Sequence, residues 1–156
     1  MDFKIDKGKT CAFTGHRDVE DDFDEGVVKE FIESFIKKGY DAFLCGMARG
    51  FDLIAADAVL ELKEKYPHIK LIGCVPCPEQ DKYYSSAEKK KYARILNACD
   101  YITVINDHYF NGCMQMRDRF MVDNCSLLLA HNVKSEGGTY YTLSYAAGKN
   151  VEMYVV

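Results

Sequence analysis

The stretch Thr10-Cys11-Ala12-Phe13-Thr14-Gly15-His16-Arg17 is a short β-leaning run that stops at a glycine and is followed by two side chains rich in donors. It reads as a buried strand, Thr10 to Thr14, that delivers a loop. Outward from it the pattern repeats. Val27, Val28, Phe31, Ile32, Phe35 and Ile36 recur at helical spacing before Gly39, and Asp41 to Cys45 is a second strand ending at Gly46. A helix over Phe51 to Lys65 halts at Tyr66-Pro67, and a third strand, Ile69 to Val75, ends at Pro76-Cys77-Pro78. Tyr92, Ile95, Leu96 and Cys99 mark a third helix, followed by a strand Tyr101 to Ile105 and a helix Met114 to Cys125. Leu127 to Ala130, Thr139 to Ala147 and Val151 to Val156 complete the series as strand, helix and strand. Such alternation predicts an α/β fold: a three-layer α/β/α sandwich on a mostly parallel sheet of about six strands. In open sheets of this kind ligands bind beyond the carboxyl ends of the strands, so function is sought in the loops that follow them.

The chain has 156 residues, 48% hydrophobic and 28% charged, which predicts a single domain over 1–156 with one core. A net charge of −4 argues against a broad basic surface, so nucleic acid and anionic membranes are not the expected partners, whereas a small anionic ligand is compatible. Seven cysteines, an odd number set mostly in apolar runs, read as buried thiols of a reducing compartment. Met1 to Lys9 carries five charges and no apolar stretch, which predicts no signal peptide or membrane span and a cytoplasmic location.

Three strand-to-helix junctions carry glycine. Gly15-His16-Arg17 allows close backbone approach and offers donors to a phosphate or carboxylate, although a plain turn would also use Gly15. Gly46-Met47-Ala48-Arg49-Gly50 aims backbone N–H groups and a helix N-terminus into one space, and Asp52 reads either as a helix cap or as an acceptor for a ribose hydroxyl. Glu136-Gly137-Gly138-Thr139 reads as a phosphate cradle or as a loop with Thr139 as the cap. Arg117 falls beside Met114 and Met121 on a mostly apolar helix face, where it requires a buried partner or an anionic ligand; Arg119 is expected to face solvent. Cys74 and Cys77 have the spacing of half a zinc site, but no second pair matches it, so no metal is expected. Neither G-x-G-x-x-G nor the P-loop pattern occurs, which argues against a standard dehydrogenase or ATPase.

Taken together, Cys11 to Arg17, Gly46 to Asp52, Pro76-Cys77 with Gln80, the helix from Cys113 to Asp123, and Gly137-Gly138-Thr139 resemble the YpsA-like branch of the SLOG superfamily. The resemblance implies a Rossmann-like domain related to the DprA proteins and to the LOG phosphoribohydrolases. It also implies binding of a nucleotide-derived ligand such as NAD or ADP-ribose, with a link to stress or cell-division control. By position, Gly15, Gly46, Gly50, Gly137, Gly138 and Thr139 would approach phosphate or ribose, and Arg117 would stand near the sugar. The LOG motif P-G-G-x-G-T-x-x-E is incomplete here, and its glutamate position is Thr142. A hydroxyl does not stabilise an oxocarbenium ion as a carboxylate does, which weighs against LOG-type hydrolysis unless Asp52, Asp123 or Glu136 supplies the carboxylate.

The leading expectation is therefore a binding or sensing module for a nucleotide-derived ligand, held by Gly15, His16, Arg17, Gly46, Met47, Ala48, Gly50, Asp52, Pro76, Arg117, Gly137, Gly138 and Thr139. The alternative is a nucleotide N-glycosidase in which Arg117 holds phosphate or sugar and Asp52 or Asp123 acts at the anomeric centre. A third reading makes Cys113 a nucleophile activated by a helix start. Tyr140, Tyr141, Tyr145 and Tyr154 crowd the C-terminal region, as core or as a contact in a homo-oligomer.

Overall fold

A computed structural model describes residues 3–131 and 136–156; Met1 and Asp2 of the charged N-terminal segment lie outside them. The strands are β1 (Thr10–Gly15), β2 (Ala42–Cys45), β3 (Lys70–Val75), β4 (Tyr101–Val104), β5 (Leu127–His131) and β6 (Glu152–Val155). Between them run α1 (Glu25–Lys37), α2 (Phe51–Lys65), α3 (Ser86–Ala98), α4 (Cys113–Asp123) and α5 (Gly138–Ala147). All strand pairs are parallel, in the order β4-β3-β2-β1-β5-β6. This is the three-layer, Rossmann-like α/β/α arrangement that the alternation of elements predicts.

Alternation along the strands sorts the core residues onto the two faces of the sheet. Cys11, Phe13, Phe43, Leu71 and Leu129 point to the face covered by α1, α2 and α3, while Ala12, Leu44, Ile72 and Leu128 pack beneath α4 and α5. Alternate residues of a strand point to opposite faces, so the period of two in the strands divides the core into these halves. Three successive crossovers step from β1 to β4 on the first face, and the next carries the chain back over the second face to β5. Strand order reverses between β1 and β5, which places the crevice at the carboxyl ends of these two strands.

The helices begin in two ways. Asp24 caps α1 by accepting from Gly26 N–H at 2.9 Å, and the buried stripe Val28, Ile32, Phe35 and Ile36 follows at helical spacing. α3 opens with a reciprocal box in which Ser85 accepts from Glu88 N–H and Glu88 accepts from Ser85 N–H. By contrast α2, α4 and α5 start at Gly50, Gly112 and Gly137, none of which brings a side-chain cap. Asp52 and Thr139, each open from sequence to a capping or a ligand-binding role, do not cap: both lie inside the first turns.

Candidate functional site

The loops after β1 and β2 are locked together. Phe51 N–H donates to the His16 carbonyl at 3.1 Å, which ties the start of α2 to the loop after β1. Gly50 has φ +83°, and a methyl group there would lie 2.2 Å from the Arg17 carbonyl oxygen. Only glycine fits that backbone conformation and that approach. Below the junction a methyl group on Gly46 would lie 2.9 Å from both the Arg117 guanidinium carbon and Asp52 Oδ2.

Arg117 reaches this point from α4, on the opposite face of the sheet. It is 5% exposed and donates to the Gly46 carbonyl, to the Cys74 carbonyl at 3.5 Å and, through Nε, to Asp118 Oδ1 at 2.8 Å. Gln80 Nε2 donates to the same Gly46 carbonyl at 2.8 Å and its Oε1 accepts from Tyr92, while Tyr84 donates to the Met47 carbonyl. Asp52, 4% exposed, accepts from Ala48 N–H at 3.3 Å through Oδ2. Its Oδ1 is buried with no hydrogen-bond partner among the described residues. Burial pushes the Asp52 carboxyl up to about 7, helped by nearby Asp118 and opposed by Arg117, the Ala48 N–H and Arg17. Burial also works against charge on Arg117, yet Asp118 and Asp52 outweigh it and hold the guanidinium charged.

A cavity of 430 Å³ opens above this pair at the strand ends. Gly15, His16, Arg17, Ala48, Asp52 and Arg117 form one side, and Gly137, Gly138 and Thr139 at the start of α5 form another. The structure thus brings together residues from three glycine-bearing junctions that are far apart in sequence. Gly46, Gly50 and Met47 serve as its framework: Met47 is buried in the core beneath α2 and the two glycines permit the close packing. Pro76 is buried at the end of β3, where its carbonyl accepts from Asn106, and it does not line the cavity. Asp123 is exposed on α4, bonded to the Tyr145 hydroxyl at 2.9 Å and away from the cavity. Arg119, expected in solvent, is half-buried and donates to the Tyr141 hydroxyl. Cys113 is buried beside Cys77, and Thr142 spends its hydroxyl on the Gly138 carbonyl at 3.0 Å.

The sequence reading missed one wall. Tyr109, Phe110, Asn111 and Gly112 from the loop between β4 and α4, with Gln115 in the first turn of α4, line the cavity. That loop also follows a strand, so the rule that points to strand ends reaches it; the glycine pattern used to rank the loops does not. Among the described residues no cluster of His, Cys, Asp and Glu is arranged to hold a metal ion, and no helix is long and apolar enough to cross a membrane.

Comparison with known proteins agrees with the fold. The YspA SLOG family model, named for YpsA, matches residues 12–155. The chain belongs to this YpsA SLOG family. The SPbeta prophage-derived protein YoqJ of Bacillus subtilis is 33% identical over 132 residues, covering 77% of this chain and 75% of that one. The UPF0398 protein YpsA of the same organism is 27% identical over 151 residues, 88% of this chain and 84% of that one. A UPF0398 protein of Halalkalibacterium halodurans is 32% identical over 118 residues, 74% of this chain and 62% of that one, so the match spans less than two thirds of that relative.

Among solved structures, DNA processing protein A from Streptococcus pneumoniae superposes with a TM-score of 0.68 at 19% identity, over 96% of this chain and 50% of that one. The Helicobacter pylori counterpart, whose structure concerns its single-stranded DNA binding mode, gives 0.70 at 18% identity, over 96% and 65%. These likenesses establish the shared fold. The expectation that nucleic acid is not a partner gains no support from them.

Proposed function

We propose that this chain binds a small nucleotide-derived ligand, of the class of NAD or ADP-ribose, in the cavity at the ends of β1, β2 and β5. The observation that carries the reading is Asp52 Oδ1, a buried acceptor with no hydrogen-bond partner among the described residues, on a side chain that lines a cavity shared with Arg17 and the start of α5, which has no side-chain cap. A carboxylate oxygen accepts from a sugar hydroxyl, while an arginine and a helix N-terminus favour phosphate. Arg117 supports the site from below, with its Nε engaged by Asp118 and its Nη1 by two backbone carbonyls. Seven free thiols, six of them buried, fit a reducing cytoplasm. The test is thermal denaturation with AMP, ADP-ribose and NAD, where saturation at a hundredfold over Kd adds about 2.7 kcal/mol. Stabilisation of the native chain that disappears in Arg17→Ala and Gly138→Val is expected; no shift with any of the three at saturation defeats the reading.

One observation favours a second, catalytic reading. A buried carboxyl pushed up to about 7 and facing a cavity suits a general acid near neutral pH, as N-glycosidic cleavage with protonation of the departing base requires. Chromatography for free base after incubation with AMP or NAD decides between the two. Release that is lost in Asp52→Asn establishes catalysis, and intact nucleotide after prolonged incubation leaves binding alone.

A further inference from the structure

A second cavity, of 520 Å³, lies beside the first. The two share Arg17, Ala48, Tyr109, Met114 and Arg117 as a common wall, so a molecule seated in one can extend into the other. Their polar groups differ in kind. The first is lined by Asp52, whose buried Oδ1 has no hydrogen-bond partner among the described residues. In the second, Gln80 is used at both ends, Tyr84 donates to Met47, Arg49 pairs with Asp18 and Glu88, and a Glu79 oxygen accepts from Tyr109 N–H. What that cavity still offers is aromatic surface. Tyr83 is 88% exposed and Tyr109 58%, both in its lining, and Lys82 lies over the Tyr83 ring at 5.3 Å. Large aromatic faces with little protein against them at a cavity rim fit a flat partner, which stacking recognises without reading its edges.

From this difference, and resting on the nucleotide reading above, we infer that the ligand is a phosphate-bridged dinucleotide. One nucleotide occupies the first cavity, the bridge passes Arg17, and the second base stacks on Tyr83 and Tyr109 in the second cavity. Arg17 lines both cavities and forms no salt bridge among the described residues, so its charge is available at the crossing point. The first base is selected and the second is tolerated in any identity, because only faces meet it. A longer nucleic-acid strand is disfavoured by the chain's net charge of −4 and by the small size of the cavities.

Titration calorimetry of the full chain with AMP, ADP, diadenosine pyrophosphate and a short single strand of deoxyadenosine nucleotides tests this. ADP separates the contribution of a second phosphate from that of a second ring. Diadenosine pyrophosphate is expected to bind about tenfold more tightly than ADP, the size of one base stack. Tyr83→Ser removes that advantage without altering AMP affinity, and Tyr83→Phe retains it. Equal affinity for ADP and the dinucleotide, or an advantage that survives Tyr83→Ser, overturns the inference while leaving the nucleotide reading in place. Tighter binding of the strand than of the dinucleotide overturns it in favour of single-stranded DNA. Absence of binding by all four overturns the inference, and together with no stabilisation by AMP, ADP-ribose or NAD it overturns the nucleotide reading as well.

Discussion

Helices α1 and α3 begin on Asp24 and Ser85, whose side chains satisfy the first backbone N–H groups, whereas α2, α4 and α5 begin on glycines that bring no such group. All five starts follow parallel strands and so lie toward one edge of the sheet. The capped pair closes its own hydrogen bonding and contributes stability. The glycine-headed trio adjoins the cavity, with Ala48 and Asp52 from α2 and its loop, Gly112 and Arg117 from α4, and Gly137 to Thr139 from α5. A glycine at the N-cap forgoes only about a few tenths of a kcal/mol against a side-chain cap, and here it leaves backbone N–H groups open where an anion would supply the missing partner.

The largest effect expected on this contrast comes from Asp52. Its carboxyl stands at about 7 in the fold against an ordinary 3.8, so the folded state favours the protonated form. No penalty applies below about pH 4; stability is then lost as pH rises through about 7, in total on the order of 4 kcal/mol, and is level above that. Denaturant titrations across this range should show Asp52→Asn gaining on the native chain as pH rises; parallel curves would mean that the carboxyl is not buried as described. Next comes Gly50→Ala, expected to cost about 3 kcal/mol through a positive φ and contact with the Arg17 carbonyl, measured by the same unfolding curves.

On the capped side, Ser85→Ala is expected to lower stability by about 1 kcal/mol and leave AMP affinity unchanged, which calorimetry checks. Gly112→Asn should have the smallest effect on stability, under about 1 kcal/mol, because Asn tolerates the left-handed backbone and a Cβ there meets nothing within 4 Å. Because Gly112 lines the cavity, the added side chain should nevertheless weaken AMP binding. If Ser85→Ala weakened AMP and Gly112→Asn did not, the division between the two sets of helices would fail.

The fold was largely legible because each strand and helix announces itself within a few residues. The strand over Thr10 to Thr14 extends only to Gly15, and the helix over Phe51 to Lys65 has the predicted bounds. The aromatic crowding near the C-terminus divides: Tyr154 packs tilted against Phe31 and Phe35, whereas Tyr140 is exposed. The site was legible only in part. Arg117 on an apolar helix face signalled a buried partner, but its nearness to Gly46 and Asp52 depends on α4 returning across the sheet, which no local pattern encodes. Asp52 was legible as one of two roles, a helix cap or an acceptor for a sugar hydroxyl; a first-turn carboxylate is usually a capping or dipole group, and the burial that sets the capping role aside comes from distant residues. Tyr109 and its neighbours follow a strand in a loop whose one glycine, Gly112, stands alone, so no glycine-rich pattern marks it.

The bond from Phe51 to His16 and the contact between Gly50 and Arg17 have a thermodynamic consequence. Two loops that would otherwise have to be ordered separately when a ligand arrives are fixed to each other as the chain folds. Their loss of conformational freedom belongs to folding, so binding at Arg17 meets a preorganised surface. Loosening that junction should therefore appear in calorimetry chiefly as a less favourable binding entropy, even where every contact with the ligand is retained.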